Sequence, residues 1–187
     1  KNLLKKTLLV IFNSKWTLNQ FVRGINKKYY KNKLEVIHQS TNKKNVNFKN
    51  KKKIIIFVGR LNKSKGYDVF GKAIINILNK FPKWKAIVIG DEPREKIFFN
   101  HKNFMCLGFQ KNTKVINLLI KSDISVVCSR IEEPFGRIAM EASSAGCAVI
   151  ITNRGGLPEA SPCAIKINNL SIKNLQSRIE KLITNQD

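Results

Sequence analysis

Acids are scarce in this sequence: 12 Asp and Glu stand against 35 Lys and Arg, a formal net charge of +23 over 187 residues. Long apolar runs are missing too. None approaches the roughly 18 residues that a membrane span requires, and the lysine-rich start lacks a secretory signal's apolar segment and cleavage site, so a cytoplasmic protein is expected. Cysteine occurs four times, as Cys106, Cys128, Cys147 and Cys163. None forms a C-x-x-C pair and three lie in apolar runs where a small thiol packs well, so reduced core cysteines are expected. Neither His38 nor His101 has partners at metal-ligand spacing or in a Ser/His/Asp or Cys/His arrangement, which predicts no metal and no covalent triad. G-x-x-x-x-G-K-[ST] is absent and no strand is followed by G-x-G-x-x-G, so ATPase and dinucleotide-dehydrogenase readings lose their main support.

The cation surplus raises the question of a polyanion partner, because clustered cations bind phosphate backbones by releasing counterions. Here the surplus is scattered. Lysine outnumbers arginine, and asparagine and isoleucine are frequent, a bias that an AT-rich coding sequence produces. The apolar strands offer no exposed aromatic row on which bases could stack, so no nucleic acid is expected as a partner. Peripheral attraction to an anionic membrane surface stays open.

A hydrophobic content of 43% over this length supports one well-buried domain with a fragment of a second. "IIIFV" (54–58), "AIVI" (86–89), "FMCL" (104–107), "ISVVC" (124–128), "CAVII" (147–151) and "CAIKI" (163–167) read as strands. Nearly all apolar and rich in β-branched residues, they should be covered on both faces, as parallel strands in α/β proteins are. Tyr67, Phe70, Ala73, Ile74, Ile77, Leu78 and Phe81 mark a helix that Pro82 stops. Asn112 to Lys121 is a shorter helix, and Ile172, Leu175, Ile179, Leu182 and Ile183 mark a final one that Ser171 could cap. The fold class is therefore α/β, with a doubly wound parallel sheet. Before residue 38, "LLVIF" (8–12) and "LEVI" (34–37) read as strands around a helix from Asn13 to Tyr30, with Trp16, Phe21, Val22 and Ile25 inward. The polar stretch 38–53 reads as a linker. Two strands and a helix cannot bury a core of their own, so residues 1–37 are expected to belong to a second domain.

Ligands of open α/β sheets bind beyond the carboxyl ends of the strands. After "IIIFV" comes "GRLNKSKG", where Gly59 allows a close turn and Arg60 and Lys65 can converge on one anion, unless this is only a solvated basic loop. "GDEP" after "AIVI" is a turn whose Gly90 is structural. After "ISVVC" comes "EEPFGRIAMEA". Pro134 and Gly136 make a tight loop and Arg137 to Ala145 a helix, leaving the amides of Phe135, Gly136, Arg137 and Ile138 as an anion site. Glu141 lies one turn into that helix, where its two oxygens can accept both hydroxyls of a vicinal diol. Glu133 precedes the loop and can accept from a sugar hydroxyl. The bland alternative pairs Glu141 with Arg137 and leaves Glu133 on the surface, an arrangement worth a few tenths of a kcal/mol at most. After "CAVII", "TNRGGLPE" places Gly155 and Gly156 either as close-approach residues offering amides to a ligand or as a plain turn into a short helix.

Taken together and in this order, "GRLNKSKG", "EPFGRIAMEA", "SAGCAVI" and "RGGLPE" resemble the C-terminal, nucleotide-sugar-binding domain of GT-B glycosyltransferases, specifically glycosyltransferase family 4. The resemblance covers residue 54 to about 184, while "VIFNSKWT" and "VIHQSTN" look like the tail of the N-terminal acceptor domain and its exit into a linker. It implies an acceptor-domain remnant at 1–37, a linker at 38–53 and a Rossmann-like donor-binding domain at 54–187. It also implies retaining transfer of a sugar from a nucleotide diphosphate donor, with no cofactor and no required metal. Carried over by motif, Arg60, Lys65 and Glu133 would act in catalysis. Gly59, Arg60, Lys65, Glu133, Phe135, Gly136, Arg137, Ile138, Glu141, Gly155 and Gly156 would bind the donor, with Glu141 on its ribose. The glycan or lipid-linked acceptor would be held by the missing N-terminal domain, so this stretch alone is expected to bind donor without turnover. The family's habits point to cell-envelope polysaccharide or lipopolysaccharide synthesis. A GT-B nucleotide-sugar epimerase is the alternative enzyme, disfavoured by the joint "EPFG...E" and "RGGLPE" pattern, and a nucleic-acid-binding module is the alternative that charge alone suggests.

Overall fold

The computed structural model describes residues 6–24, 31–42 and 44–185. Its centre is a six-stranded, all-parallel sheet of β3 (Lys52–Val58), β4 (Lys85–Ile89), β5 (Phe104–Cys106), β6 (Ser122–Val127), β7 (Ala148–Thr152) and β8 (Ile165–Ile167). Their order across the sheet is β5-β4-β3-β6-β7-β8. The chain runs outward from β3 to β4 and β5, then returns across the sheet to β6 on the other side of β3. The order therefore reverses between β3 and β6, and the carboxyl ends of these two strands flank the crevice where such sheets take their ligands.

Side chains alternate across the strands, and this divides the core in two. Ile55 and Phe57 pack with α2 (Tyr67–Lys80) and α6 (Ile172–Thr184), whereas Ile54 and Ile56 face α3 (Asn112–Lys121), α4 (Arg137–Ser144) and α5 (Leu157–Ala160). The expected doubly wound sheet is thus present, and α3 has the expected bounds. Ser171 caps α6, its Oγ accepting from the amide of Asn174 at 3.1 Å.

Burial on both faces does not extend to the sheet edge. Met105 on β5 is 55% exposed and Cys106 is exposed, because β5 is an edge strand and among the described residues no further strand pairs with it. Cys163 precedes β8 and is exposed as well, so the expectation of core cysteines holds for Cys128, which is buried, and in part for the half-buried Cys147. All four are free. Burial pushes the Cys128 thiol up to about 12 and that of Cys147 to about 11.

The first segment pairs β1 (Val10–Phe12) with β2 (Leu34–Val36) in parallel, with α1 (Lys15–Val22) between them. Trp16 and Val22 are half-buried, but Phe21, expected inward, is 38% exposed. This two-stranded sheet is too small to cover both sides of the helix. Ile25 and the rest of the expected helix lie outside the described residues.

The stretch from 38 to 53 is mostly irregular, with one 3-10 turn at Phe48–Asn50, and β3 begins two residues earlier than expected, at Lys52. Lys51 pins it down. Its ammonium donates to the carbonyls of Ser122 (2.6 Å) and Ala145 (2.8 Å), at the carboxyl ends of α3 and α4, where a cation complements the helix dipole. Nearby, Asp123 Oδ2 is buried without a hydrogen-bond partner among the described residues, and burial raises the carboxyl's pKa against the opposing pull of the Ile54 amide, Lys51 and Lys53. A carboxyl whose folded pKa is raised favours the fold only while it is protonated, and opposes it at neutral pH. Asp123→Asn should therefore raise the denaturation midpoint at pH 7. The gain should shrink as pH falls and the wild-type carboxyl takes up its proton, and an unchanged or lower midpoint at pH 7 would contradict this account.

Candidate functional site

The two loops at the topological switch are stitched to each other. After β3, Asn62 Oδ1 accepts from the Lys65 amide (3.0 Å) and from Ser64 Oγ (2.8 Å), closing a 3-10 turn over Lys63–Lys65. After β6, Arg130 donates its amide to Ser64 O at 2.8 Å and its guanidinium to both oxygens of Asp68, at 2.6 and 2.8 Å. Hydrogen bonds from Arg130 hold the Asp68 carboxyl below its usual range against the opposing effect of burial. Lys65 is thereby delivered to the crevice, where its ammonium pairs with the Glu133 carboxylate, both side chains being largely buried.

On the β6 side, Gly136 precedes α4 with φ 101° and offers no capping side chain. Among the described residues no protein group accepts from the amides of Phe135, Gly136, Arg137 or Ile138. Four donors at the positive end of a helix dipole are the arrangement to which an anion could bond. Glu141 sits one turn further on, only 5% exposed. Its Oε1 is 3.4 Å from Nη2 of Arg137, a side chain 67% exposed, so the i,i+4 pair occurs but is weak. Its Oε2 is buried with no hydrogen-bond partner among the described residues. A desolvated carboxylate oxygen without a hydrogen bond costs the fold free energy, and that is hard to explain as packing.

Gly155 and Gly156 serve a different contact from the one expected. The Gly156 amide donates to Glu133 O at 2.6 Å and the Gly155 amide to the Glu132 carboxylate, so neither is open to a ligand. A Cβ on Gly155 would fall 2.6 Å from Glu133 N, and one on Gly156 2.9 Å from the Phe135 Cα. These glycines let the loop after β7 press against the backbone of residues 133 to 135. Glu132, which the sequence reading passed over, also pairs with Arg154 at 3.0 Å.

Beyond the ends of β3, β4 and β5 lies a cavity of about 280 Å³, lined among others by Gly59, Arg60, Gly90, Asp91, Phe109 and Gln110. Arg60 has no ion pair or hydrogen bond among the described residues, and Lys65 is not part of this lining. Sequence reasoning gave Gly90 a purely structural role and missed Asp91, Phe109 and Gln110. A Cβ on Gly90 would lie 2.9 Å from the Gly59 carbonyl carbon, so this glycine is needed for two strand ends to meet. The available signal for the others was their place after β4 and β5. Among the described residues no group of three His, Cys, Asp or Glu is placed to hold a metal ion.

A parallel sheet wound on both faces, with unpaired helix amides and an unsatisfied acid at its switch point, defines a Rossmann-like domain. The model of the family described as "Glycosyl transferases group 1" matches residues 38–187, and the chain belongs to that family. Its fold is that of the C-terminal half of a GT-B protein. The C-terminal domain of the glycosyl transferase group 1 family protein LpcC from Francisella tularensis superposes with a TM-score of 0.63 at 29% identity, over 72% of this chain and 77% of that one. HepE from Anabaena, solved in complex with UDP-glucose, superposes with a TM-score of 0.74 at 20% identity over 94% of this chain and 54% of its own, which shows likeness of fold. Among curated proteins, spore coat protein SA of Bacillus subtilis is 34% identical over 121 residues, 58% of this chain and 32% of that protein. The chain spans about a third of the length of the curated relatives it matches first. No helix among the described residues is long and apolar enough to cross a membrane.

Proposed function

We propose that this chain is the donor-binding half of a glycosyltransferase, taking a nucleoside diphosphate sugar in the cleft between the loops after β3 and β6. The observation that carries the reading is Glu141: a buried carboxylate oxygen with no partner, one turn beyond four unpaired helix amides. A nucleoside diphosphate answers both, with ribose hydroxyls to donate to the acid and phosphate oxygens to accept from the amides. The base would occupy the cavity beside Phe109 and Gln110, with Arg60 reaching the diphosphate from its rim.

Transfer breaks the bond between the sugar's anomeric carbon and the diphosphate oxygen, and the electron pair leaves with the phosphate. Arg60, Lys65 and the amides of Phe135 to Ile138 would stabilise the charge that develops there, with no metal required. Glu133 would face the sugar. The acceptor, a glycan or lipid-linked hydroxyl, attacks on the face the diphosphate leaves and passes its proton to the departing phosphate oxygen, so configuration is retained. We place the product in cell-envelope polysaccharide or lipopolysaccharide synthesis. A net charge of +23 would also draw the chain to an anionic membrane surface, an attraction that moderate salt screens.

Titration calorimetry with UDP, GDP, ADP and UDP-glucose tests the reading, and no heat from any of them on folded protein would refute it. The Lys65–Glu133 pair sharpens the test, since Lys65 must loosen its hold on Glu133 to meet a phosphate. Glu133→Ala should keep nucleoside diphosphate affinity within about threefold while weakening the sugar conjugate by about tenfold, the size of one charge-assisted hydrogen bond. Equal losses for both ligands would place Glu133 on the diphosphate side instead.

A further inference from the structure

The amino end of α1 is satisfied from a distant part of the chain. Ser14 and Thr17 form a capping box that serves the amides of Thr17 and Ser14, leaving those of Lys15 and Trp16. One carboxylate takes both: Glu159 Oε2 accepts from Lys15 N at 2.7 Å and Oε1 from Trp16 N at 2.9 Å. His38 Nε2 lies 3.0 Å from the same Oε2. Burial works to raise the Glu159 carboxyl, but the amides of Lys15 and Trp16, with His38, outweigh it and hold the group below its usual range. A bidentate acid at a helix amino terminus is a strong tie, favoured by the dipole and by two charge-assisted bonds.

The segments that Glu159 gathers are the ones that touch the anion-site loop. Ser14, fully buried, donates from Oγ to Pro134 O at 2.6 Å. The His38 ring stacks on Phe135, centroids 5.7 Å apart and planes 29° from parallel. Glu159 itself stands on α5, which follows directly on the loop bonded to Glu133 through Gly156. It is not among the residues lining the cavity.

We propose that Glu159 is a positioning residue for the donor loop. By clamping α1 and His38 to α5, it seats Ser14 under Pro134 and His38 against Phe135, and so fixes the direction in which the amides of residues 135 to 138 point. Two stretches on either side of β2 must both be docked for the clamp to form, so the loop is set only when the first segment is in place. The consequence for ligand rests on the reading of this loop as the diphosphate site, but the clamp does not.

Glu159→Gln tests it, because a carboxamide has one acceptor oxygen and must turn its NH2 toward the second amide. Hydrogen exchange on the 187-residue chain should show faster exchange at Lys15 and Trp16, and also at Ala139, Met140 and Gly156, whose amides bond to Gly136 O and Glu133 O. The interior of β3 and β6 should be unchanged. Ser14→Ala, which removes the bond to Pro134 and leaves Glu159 intact, should loosen Ala139 and Met140 in the same way and keeps the test alive if the first variant folds poorly. UDP affinity of folded Glu159→Gln should fall roughly three- to tenfold, the effect of one or two misdirected hydrogen bonds. Released amides at 15 and 16 with unchanged exchange at 139, 140 and 156 would overturn the clamp, and unchanged UDP affinity would overturn its role in positioning. Should the wild-type chain take up no UDP, the donor reading fails while the exchange data still decide the clamp.

Discussion

Glu141→Ala should weaken UDP and UDP-glucose alike by about 1.5 to 3 kcal/mol, the range for hydrogen bonds to a charged group, or roughly 10- to 150-fold in affinity. The argument rests on an asymmetry in the free protein. Among the described residues Glu141 Oε2 is desolvated and unpartnered, and the only side-chain hydrogen bond of Oε1 is a 3.4 Å approach of a mostly exposed arginine. The acid therefore adds little to the fold and carries a desolvation cost that a ligand hydroxyl would relieve. Stability should move the other way from affinity: the variant should unfold at an equal or higher midpoint, as is common when a strained binding residue is removed. An acid kept for structure would give the opposite pair of results. Calorimetry with both ligands, beside thermal unfolding of the same samples, separates the two cases, and full affinity in the variant would end the claim that this acid meets the ribose.

How much of this could be read from the sequence depends on whether the cause was local. Apolar runs, β-branched in every strand but β5, located all six strands of the sheet, and the cap at Ser171 and the bounds of α3 followed from short-range chemistry. Chain-local patterns could not show that β5 ends the sheet, which is why Met105 and Cys106 face solvent although their run looks like core. They could not show what the glycines at 155 and 156 approach either, because their partners at 132 to 135 lie some twenty residues earlier on another strand end. Lys65 and Glu133 are 68 positions apart, and Glu159 is 144 from Lys15. Sequence placed these side chains at strand ends and left their partners to the tertiary fold.

The scarcity of acids acquires a meaning once their positions are known. Asp68, Asp91, Glu92, Glu95, Glu132, Glu133, Glu141 and Glu159, eight of the twelve, follow the carboxyl ends of β3, β4, β6 and β7. Most hold a loop in shape: Asp68 on Arg130, Glu92 on Asn62 and Arg94, Glu95 on the Lys63 amide, Glu132 on the Gly155 amide, and Glu159 on α1. Glu133 pairs instead with Lys65 in the crevice, and Glu141 keeps a buried oxygen unpaired among the described residues. An acid concentrated where cations and amides also gather is used to organise that edge, whereas the lysines spread elsewhere set the net charge.

Gly155→Ala should cost the fold about 2 to 4 kcal/mol, the range of overpacking combined with a forced left-handed conformation. Gly155 has φ 57°, where an L side chain is strained, and a new Cβ would overlap the Glu133 carbonyl oxygen and stand 2.6 Å from Glu133 N. Those are backbone atoms, and they cannot step aside without breaking the bond from Gly156 to Glu133 O at 2.6 Å and the tie from the Gly155 amide to Glu132. Gly108 supplies the control. It has φ 64°, but a Cβ there meets nothing within 4 Å, so Gly108→Ala carries the conformational strain alone, about 1 to 2 kcal/mol. The difference between the two variants in urea unfolding isolates the collision. Because residues 133 to 135 lead into the anion-site loop, Gly155→Ala should also lose UDP affinity under conditions where it remains folded, whereas Gly108→Ala should lose less. Equal costs for the two substitutions would mean that the loop after β7 can retreat from Glu133, and that its close packing does not hold the site in place.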